Sequence, residues 1–173
     1  MATNLEFIKS ASGTSVSSLS VTDCFSADYD VYQVVISEYK GTANSFLFAR
    51  LLDSTNTVIT ANEYDDAYLG MTSYGSFAQS RTTNDSRLEN FGYYFSGTVS
   101  STAGFVTVYN PFDSGSYTFT AGQSSAWVNT IGGVGYKSIG VHKSAEQING
   151  INFFPSAGTI DFMEINVFGL ASN

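Results

Sequence analysis

Short runs of alternating apolar and polar residues fill this chain, separated by clusters of Gly, Ser, Thr and Asn. Side chains on an extended strand point to opposite faces with period two, so the alternation predicts strands from end to end. Leu5 and Phe7 mark a first strand at about 4–9, followed by a Ser/Gly/Thr turn region over 10–18. Leu19 and Val21 form a short strand ending near Asp23, and residues 24–30 read as a loop. The strongest internal strand is DVYQVVISE, residues 30–38. Tyr32, Val34 and Ile36 line one side and Val31, Gln33 and Val35 the other, the two-sided pattern of a central strand. Residues 40–44 have the length of a hairpin connection to a partner strand at 45–52, whose Phe46, Phe48, Arg50 and Leu52 share a face. Arg50 is expected to snorkel or to pair with an acid on the adjoining strand such as Glu38. Val58 and Ile59 form a short strand, and 64–68 continues as another.

Residues 70–90 are polar and rich in Gly, Ser, Thr and Asn, which predicts a long loop that serves as a contact or exposed tip. Strands are expected at 91–95, 105–109 and 117–119, with NPFDSG at 110–115 as a turn. A short strand at 126–129 carries the only Trp, Trp127; residues 132–135 read as a glycine hinge, 136–141 as an extended lead-in and 144–148 as one helical turn. The densest apolar stretch is the last, INFFPSAGTIDFMEINVFGL at 151–170, read as a hairpin of 151–154 and 159–170 around Pro155–Gly158. Ile160 and Phe162 share one side, as do Ile165 and Val167, but the two pairs are out of phase. That slip predicts a β-bulge or a sheet switch near Met163 and Glu164, letting one strand serve two packed surfaces. The whole reads as a single all-β domain over residues 1–173: a two-sheet antiparallel sandwich of jelly-roll type with about 8–10 short strands.

Composition narrows the partners. Charged residues are 13% of the chain and aromatics 15%, low charge for a free monomer and consistent with a surface covered by sister subunits. The net charge is −8, and the seven Lys and Arg are scattered, so neither nucleic acid nor an anionic membrane is an expected partner. No apolar run approaches the ~18 residues of a membrane-spanning helix. The first ten residues lack the pattern of a signal peptide, and Cys24 is alone, which together point to synthesis in a reducing cytoplasm.

Candidate chemistry is sparse. His142 is the only histidine, no G-x-S-x-G elbow accompanies it, and one His with one Cys cannot build a His- or Cys-rich zinc site. Calcium is the more credible metal, with Asp28 and Asp30 in one loop, Asp53 in another and Glu63, Asp65 and Asp66 in a third; none matches an EF-hand loop, and loop acids are ordinarily solvated. No spacing singles out a glycosidase carboxylate pair, and Asp65 and Asp66 point to opposite faces of a strand. Gly132, Gly133 and Gly135 lack the GK[ST] ending of a phosphate loop, and Asn84-Asp-Ser86 is a chance sequon without a secretory signal. Tyr74, Tyr93, Tyr94, Phe95, Tyr109 and Trp127 are the material for a sugar-stacking platform, although aromatics at strand spacing are more often core. No catalytic, cofactor-binding or metal-binding residue is assigned, no cofactor is expected, and the chain is not expected to be an enzyme.

Four stretches in order resemble the small β-sandwich virion proteins of tailed bacteriophages. DYDVYQVVISEYKGTANSFLFARLLDS, residues 28–54, is similar to a "Y-x-V-x-I" strand, a "T-x-N/D" turn and an "L-x-x-R-L" strand in succession. The segment at 64–68 and VTVYNPFD at 106–113 follow. The ending at 151–170 resembles a closing "I-x-F-…-G-x-I-…-x-V-Y-G-L" strand, with Phe168 in the Tyr position. These stretches span about half the chain. The resemblance implies a jelly-roll-like structural module of a phage particle: a capsid decoration, cement or fibre protein, or alternatively a tail part. It implies a homo-oligomer, with a trimer favoured, and contacts to other virion proteins such as the major capsid protein. A carbohydrate-binding module for host-surface glycans is the alternative. No catalytic residues carry over, because the motif is a scaffold motif.

Overall fold

The computed structural model describes residues 5–75, 77–94, 101–128 and 132–171, without the side chains of Asn90, Gly92, Tyr93 and Tyr94. Among these residues there are twelve strands and no helix: β1 (Leu5–Val16), β2 (Leu19–Val21), β3 (Val31–Gly41), β4 (Ser45–Asp53), β5 (Tyr64–Thr72), β6 (Ala78–Asp85), β7 (Leu88–Tyr94), β8 (Thr102–Tyr109), β9 (Thr118–Val128), β10 (Gly132–His142), β11 (Ile148–Pro155) and β12 (Ile160–Leu170). They form an eight-stranded antiparallel sheet, β1-β12-β3-β8-β9-β10-β5-β6, facing a four-stranded one, β2-β11-β4-β7. Two hairpins, β5–β6 and β9–β10, both extend the large sheet past β8. Without them, eight strands remain, four per sheet, and every consecutive pair changes sheet except β4 and β7, which are neighbours in the smaller one. That wrapping is the jelly roll expected from the pattern.

The core lies between the eight jelly-roll strands. Tyr32, Val34 and Ile36 of β3 point inward with Val106 and Val108 of β8 and Ile165 and Val167 of β12, all essentially inaccessible. Opposite them stand Leu47, Ala49 and Leu51 of β4 and Ile151 and Phe153 of β11. As expected, β3 is central, paired on both sides. Its outward face, however, is one side of the sandwich rather than a second core.

Several expectations are corrected. There are more strands than 8–10, and many are longer. Residues 10–16 continue β1, because its main chain pairs with β12 as far as Val16↔Ile160; the inward side of this edge strand is only partly buried and carries small residues such as Ala11 and Gly13, so little apolar alternation shows. Residues 70–90 are mostly strand, not a long loop: they complete β5, form β6 and begin β7. Residues 117–119 and 126–128 belong to one strand, β9, and 132–135 to β10 rather than to a hinge. No helical turn forms at 144–148, and Val58 makes only an isolated bridge to Leu52. Neither expected hairpin exists: β3 and β4 lie in different sheets, as do β11 and β12. The short connections cross the sandwich instead of reversing within a sheet. Residues 95 and 129, expected at strand ends, lie outside the described residues, as does Asn4 at the start of the first expected strand.

The phase slip in the last strand is real. The β12–β3 ladder shifts register between Ile160 and Phe162 and again between Glu164 and Ile165. The first inserts Asp161 in β12, upstream of the expected place, and lets Ile160 reach the same core as Met163, Ile165 and Val167; the second inserts Ser37 in β3 and leaves the phase of β12 unchanged. The strand thus serves one packed surface, not two.

Candidate functional site

The most extensive feature of the molecule is the outer face of the large sheet. Register places Val35, Phe105, Gln123, Lys137, Leu69 and Gln79 in one row across six strands. The adjacent row is Gln33, Thr107, Ala121, Ile139, Ala67 and Arg81. Period-two alternation turns all of these away from the core. Ile139 is 59% exposed, Leu69 53% and Met71 48%, and Phe105, Phe119 and Trp127 are also open to solvent. Among the described residues no element packs over this face, where large apolar side chains stand interspersed with Gln, Thr, Lys and Arg.

Charge on the face is scarce: at its β10-β5-β6 end stand Arg81 and Lys137, with Asp65 in its ion pair to Lys143 beside them. Five of the chain's seven cations are engaged: Lys9 donates to the Thr22 carbonyl, Lys40 pairs with Glu38, Arg50 donates to the Ser86 carbonyl, Arg87 pairs with Glu89, and Lys143 with Asp65. Arg81 and Lys137 have no such partner among the described residues. Both line a shallow groove of about 710 Å³ with Ala67, Tyr68, Leu69 and Ile139. In the ladder they stand at opposite corners of a patch centred on Ala67 and Leu69, about 12 Å apart between Cα atoms by ideal strand spacings.

A second cluster forms where β10 ends. His142 is fully buried, and Tyr64 lies against its ring with centroids 4.9 Å apart. Tyr64 is itself fixed, accepting from the Leu51 amide and donating to the Ile59 carbonyl. His142 Nε2 points at two carboxylates, Glu63 Oε2 at 3.3 Å and Glu146 Oε1 at 3.7 Å. The backbone bond from the Lys143 amide to the Glu63 carbonyl holds the β5 approach against the end of β10. Both carboxylates are partly exposed, so the cluster opens to solvent on one side.

A third cluster surrounds Asp66, on the inner face of β5. Its Oδ2 accepts from the Glu89 amide at 3.3 Å, while its Oδ1 is buried without a partner. Burial, and then the nearby Glu89 carboxylate, push its pKa up to about 7 against the opposing Glu89 amide hydrogen bond. Arg87 bridges Glu89 and Asp85 and lies over the Phe48 ring at 4.5 Å. This is a packed polar network under the β6–β7 turn rather than an open site.

The structure disperses most of the residues singled out by sequence. Asp53 caps its own turn, accepting from the Thr55 hydroxyl and the Thr55 and Thr57 amides, and those bonds hold it below the usual carboxylate range. Asp28 is bound to the Ser26 hydroxyl, and the Lys143 ammonium holds Asp65 low. Asp65 and Asp66 point to opposite faces, as the alternation requires. Arg50 does not meet Glu38; it reaches the Ser86 carbonyl and stacks 4.4 Å from the Phe154 ring. Asn84 accepts from Lys143. Cys24 is buried, which pushes its thiol up to about 12 and leaves it inert. The expected aromatic platform divides: Tyr74 packs edge-on against Trp127 at one end of the large sheet, while Tyr109 sits at the other. The side chains of Tyr93 and Tyr94, and all of Phe95, lie outside the described residues. What sequence reasoning missed is the pairing of His142 with Glu63 and Glu146. The i,i+4 spacing of His142 and Glu146 was visible; the approach of Glu63 depends on the β5–β10 pairing. Comparison with protein-family models and with curated proteins finds no match for the chain.

Proposed function

We propose that this chain is a structural component of a bacteriophage virion, most simply a capsid-exterior decoration, cement or fibre subunit that works through subunit–subunit contacts. The observation that carries this reading is the uncovered apolar outer face of the large sheet. Five strands at about 4.8 Å spacing and some 25 Å of length present about 600 Å², close to the ~800 Å² that each partner contributes to a standard interface. A jelly roll extended by two hairpins suits that role, because the added strands widen the flat face without thickening the core. At about 25 cal/mol per Å² of apolar area, a contact repeated around a symmetric assembly supplies stabilisation no single copy has. Arg81 and Lys137 give the face a polarity complementary to the acidic remainder of a sister subunit, which favours defined docking over indiscriminate adhesion.

A tail component uses the same face in the same way. The glycan-binding alternative has less support, since the exposed rings stand at opposite ends of the sheet rather than in one row.

The test is the solution mass of the purified chain by light scattering coupled to size exclusion, beside the double variant L69E/I139E. A trimer or other closed oligomer that the variant converts to folded monomers supports the contact reading; a wild-type monomer at every concentration overturns it. Antibody labelling of phage particles that encode the chain tests the virion placement, and particles without label argue against it.

A further inference from the structure

We propose that Glu63, His142 and Glu146 form a binding site for a divalent transition-metal ion, zinc foremost. The three donor atoms come from separate segments, the approach to β5, the end of β10 and the β10–β11 connection, and lie within 4.8 Å of one another. His142 has no exposed surface, its Nδ1 has no hydrogen-bond partner, and its Nε2 is directed into the carboxylate pair.

Distances separate an ion site from an ordinary ion pair. A charge-assisted N–H···O bond is about 2.7–2.9 Å long. The observed separations from Nε2 are 3.3 Å to Glu63 and 3.7 Å to Glu146. A tetrahedral ion with metal–nitrogen and metal–oxygen bonds of about 2.0–2.2 Å holds its ligands about 3.3–3.6 Å apart. The two edges that meet at Nε2 are therefore close to those of a coordination polyhedron and longer than a tight hydrogen bond, and the two carboxylate oxygens lie within 4.8 Å of each other.

Charge points the same way. A single Nε2–H serves one carboxylate at a time, and among the described residues no Lys or Arg pairs with the other. Lys143, the next residue, turns to Asp65 at 2.8 Å and Asn84 at 2.6 Å. Arg50 is committed to the Ser86 carbonyl. Two carboxylates converging on one imidazole are balanced by a divalent ion, and the solvent-facing side of the pair leaves a position for water. Imidazole among the ligands favours zinc and its neighbours over calcium or magnesium, which require all-oxygen shells of higher coordination number. The ion would tie the β10–β11 connection to β5, a structural rather than catalytic role.

The experiment uses the full chain, dialysed against a chelator and titrated with zinc by calorimetry, with calcium as control. Cobalt(II) absorption reports coordination geometry directly. The expected result is saturable binding of one zinc per chain, a raised melting temperature and a tetrahedral cobalt spectrum. Because His142 is buried and its replacement endangers folding, the variants are E63Q and E146Q, both partly exposed; each is expected to weaken zinc binding at least about tenfold while melting as a folded protein. No zinc binding by the folded wild type overturns the proposal, as does binding unchanged in both variants or a preference for calcium. None of these outcomes bears on oligomeric mass, so this site and the assembly reading fail independently.

Discussion

The jelly-roll half and the hairpin extension of the same large sheet are built on different chemistry. Under β12, β3 and β8 the inward residues are mostly Val, Ile, Met and Tyr, and the buried Tyr39 hydroxyl is paired with Ser45 at 3.0 Å. Under β9, β10 and β5 the inward residues include Thr118, Thr120, Ser124, Ser138, Asp66 and His142. Thr118 Oγ1, Ser124 Oγ, Asp66 Oδ1 and His142 Nδ1 are buried there without partners. The second sheet explains the contrast. Among the described residues the smaller sheet reaches beneath the extension at few places: Leu88 of β7 seats against Gly140, and Phe46 of β4 meets Tyr136 at 6.1 Å. The jelly-roll core holds the molecule folded; the extension is carried by main-chain pairing and spends little apolar surface inward, keeping it for the outer face.

The largest effect is expected where the core is tightest. Phe153→Ala removes a fully buried ring and is expected to cost about 3–5 kcal/mol, read from the shift in denaturant midpoint. A loss under about 1 kcal/mol would mean the two halves are not so unequal. Gly140→Ala probes the one close seat of β7 on the extension: an added Cβ meets Leu88 Cδ2 at 2.5 Å and Thr120 Oγ1 at 2.8 Å. A destabilisation of about 1–3 kcal/mol is expected, and wild-type stability would show that β7 yields there.

Asp66 gives the extension a pH signature. Its folded pKa, about 7, stands above the unfolded value of about 3.9. Between those values the native state holds more protons than the unfolded chain, so stability falls as pH rises. The favourable contribution is complete below the unfolded value and lost on passing through the folded one. The wild type should lose on the order of 4 kcal/mol from pH about 4 to about 8 through this group. Asp66→Asn should lack that component of the pH dependence; an identical slope in both proteins would rule out Asp66 as its source. Smaller still, Thr118→Val replaces a buried, unpartnered hydroxyl by a methyl of the same shape and should stabilise by about 1 kcal/mol, by melting or denaturant titration. The same change at a partnered core hydroxyl should destabilise. Finally, Ile139→Ser on the outer face should leave monomer stability within about 0.5 kcal/mol while lowering the oligomeric mass.

Legibility followed burial. The alternation located β3, β4 and β8 and grouped the inward Tyr32, Val34 and Ile36 of β3, but the row it picked out in β4, Phe46, Phe48, Arg50 and Leu52, is the face opposite the inward Leu47, Ala49 and Leu51. Where burial is slight, as in the second half of β1 and in β6, or where the buried face is polar, as in β5 and β9, the pattern faded and only parts of β1, β5 and β9 read as strand. The outer apolar rows were visible only as scattered Phe, Ile and Leu, because register alone brings Leu69 beside Lys137 and Ile139 beside Ala67. His142 was correctly seen as solitary in type, yet its neighbours are carboxylates from segments 79 and 4 residues away in sequence.

By itself the sequence determined the class of this protein: apolar alternation with period two, dense turn residues and no amphipathic helical stretch leave only packed antiparallel sheets. It also determined the bulged last strand, since the phase of Ile160 against Ile165 and Val167 cannot be reconciled with a regular strand facing one core. Which sheet each strand joins was decided only in three dimensions. A connection of three or four residues serves equally to reverse within a sheet or to cross between two, and the choice depends on which partners bury the inward face best. That choice sent β4 away from β3 and β11 away from β12. It also aligned β5 with β10, and so created both the apolar outer face and the meeting of Glu63, His142 and Glu146.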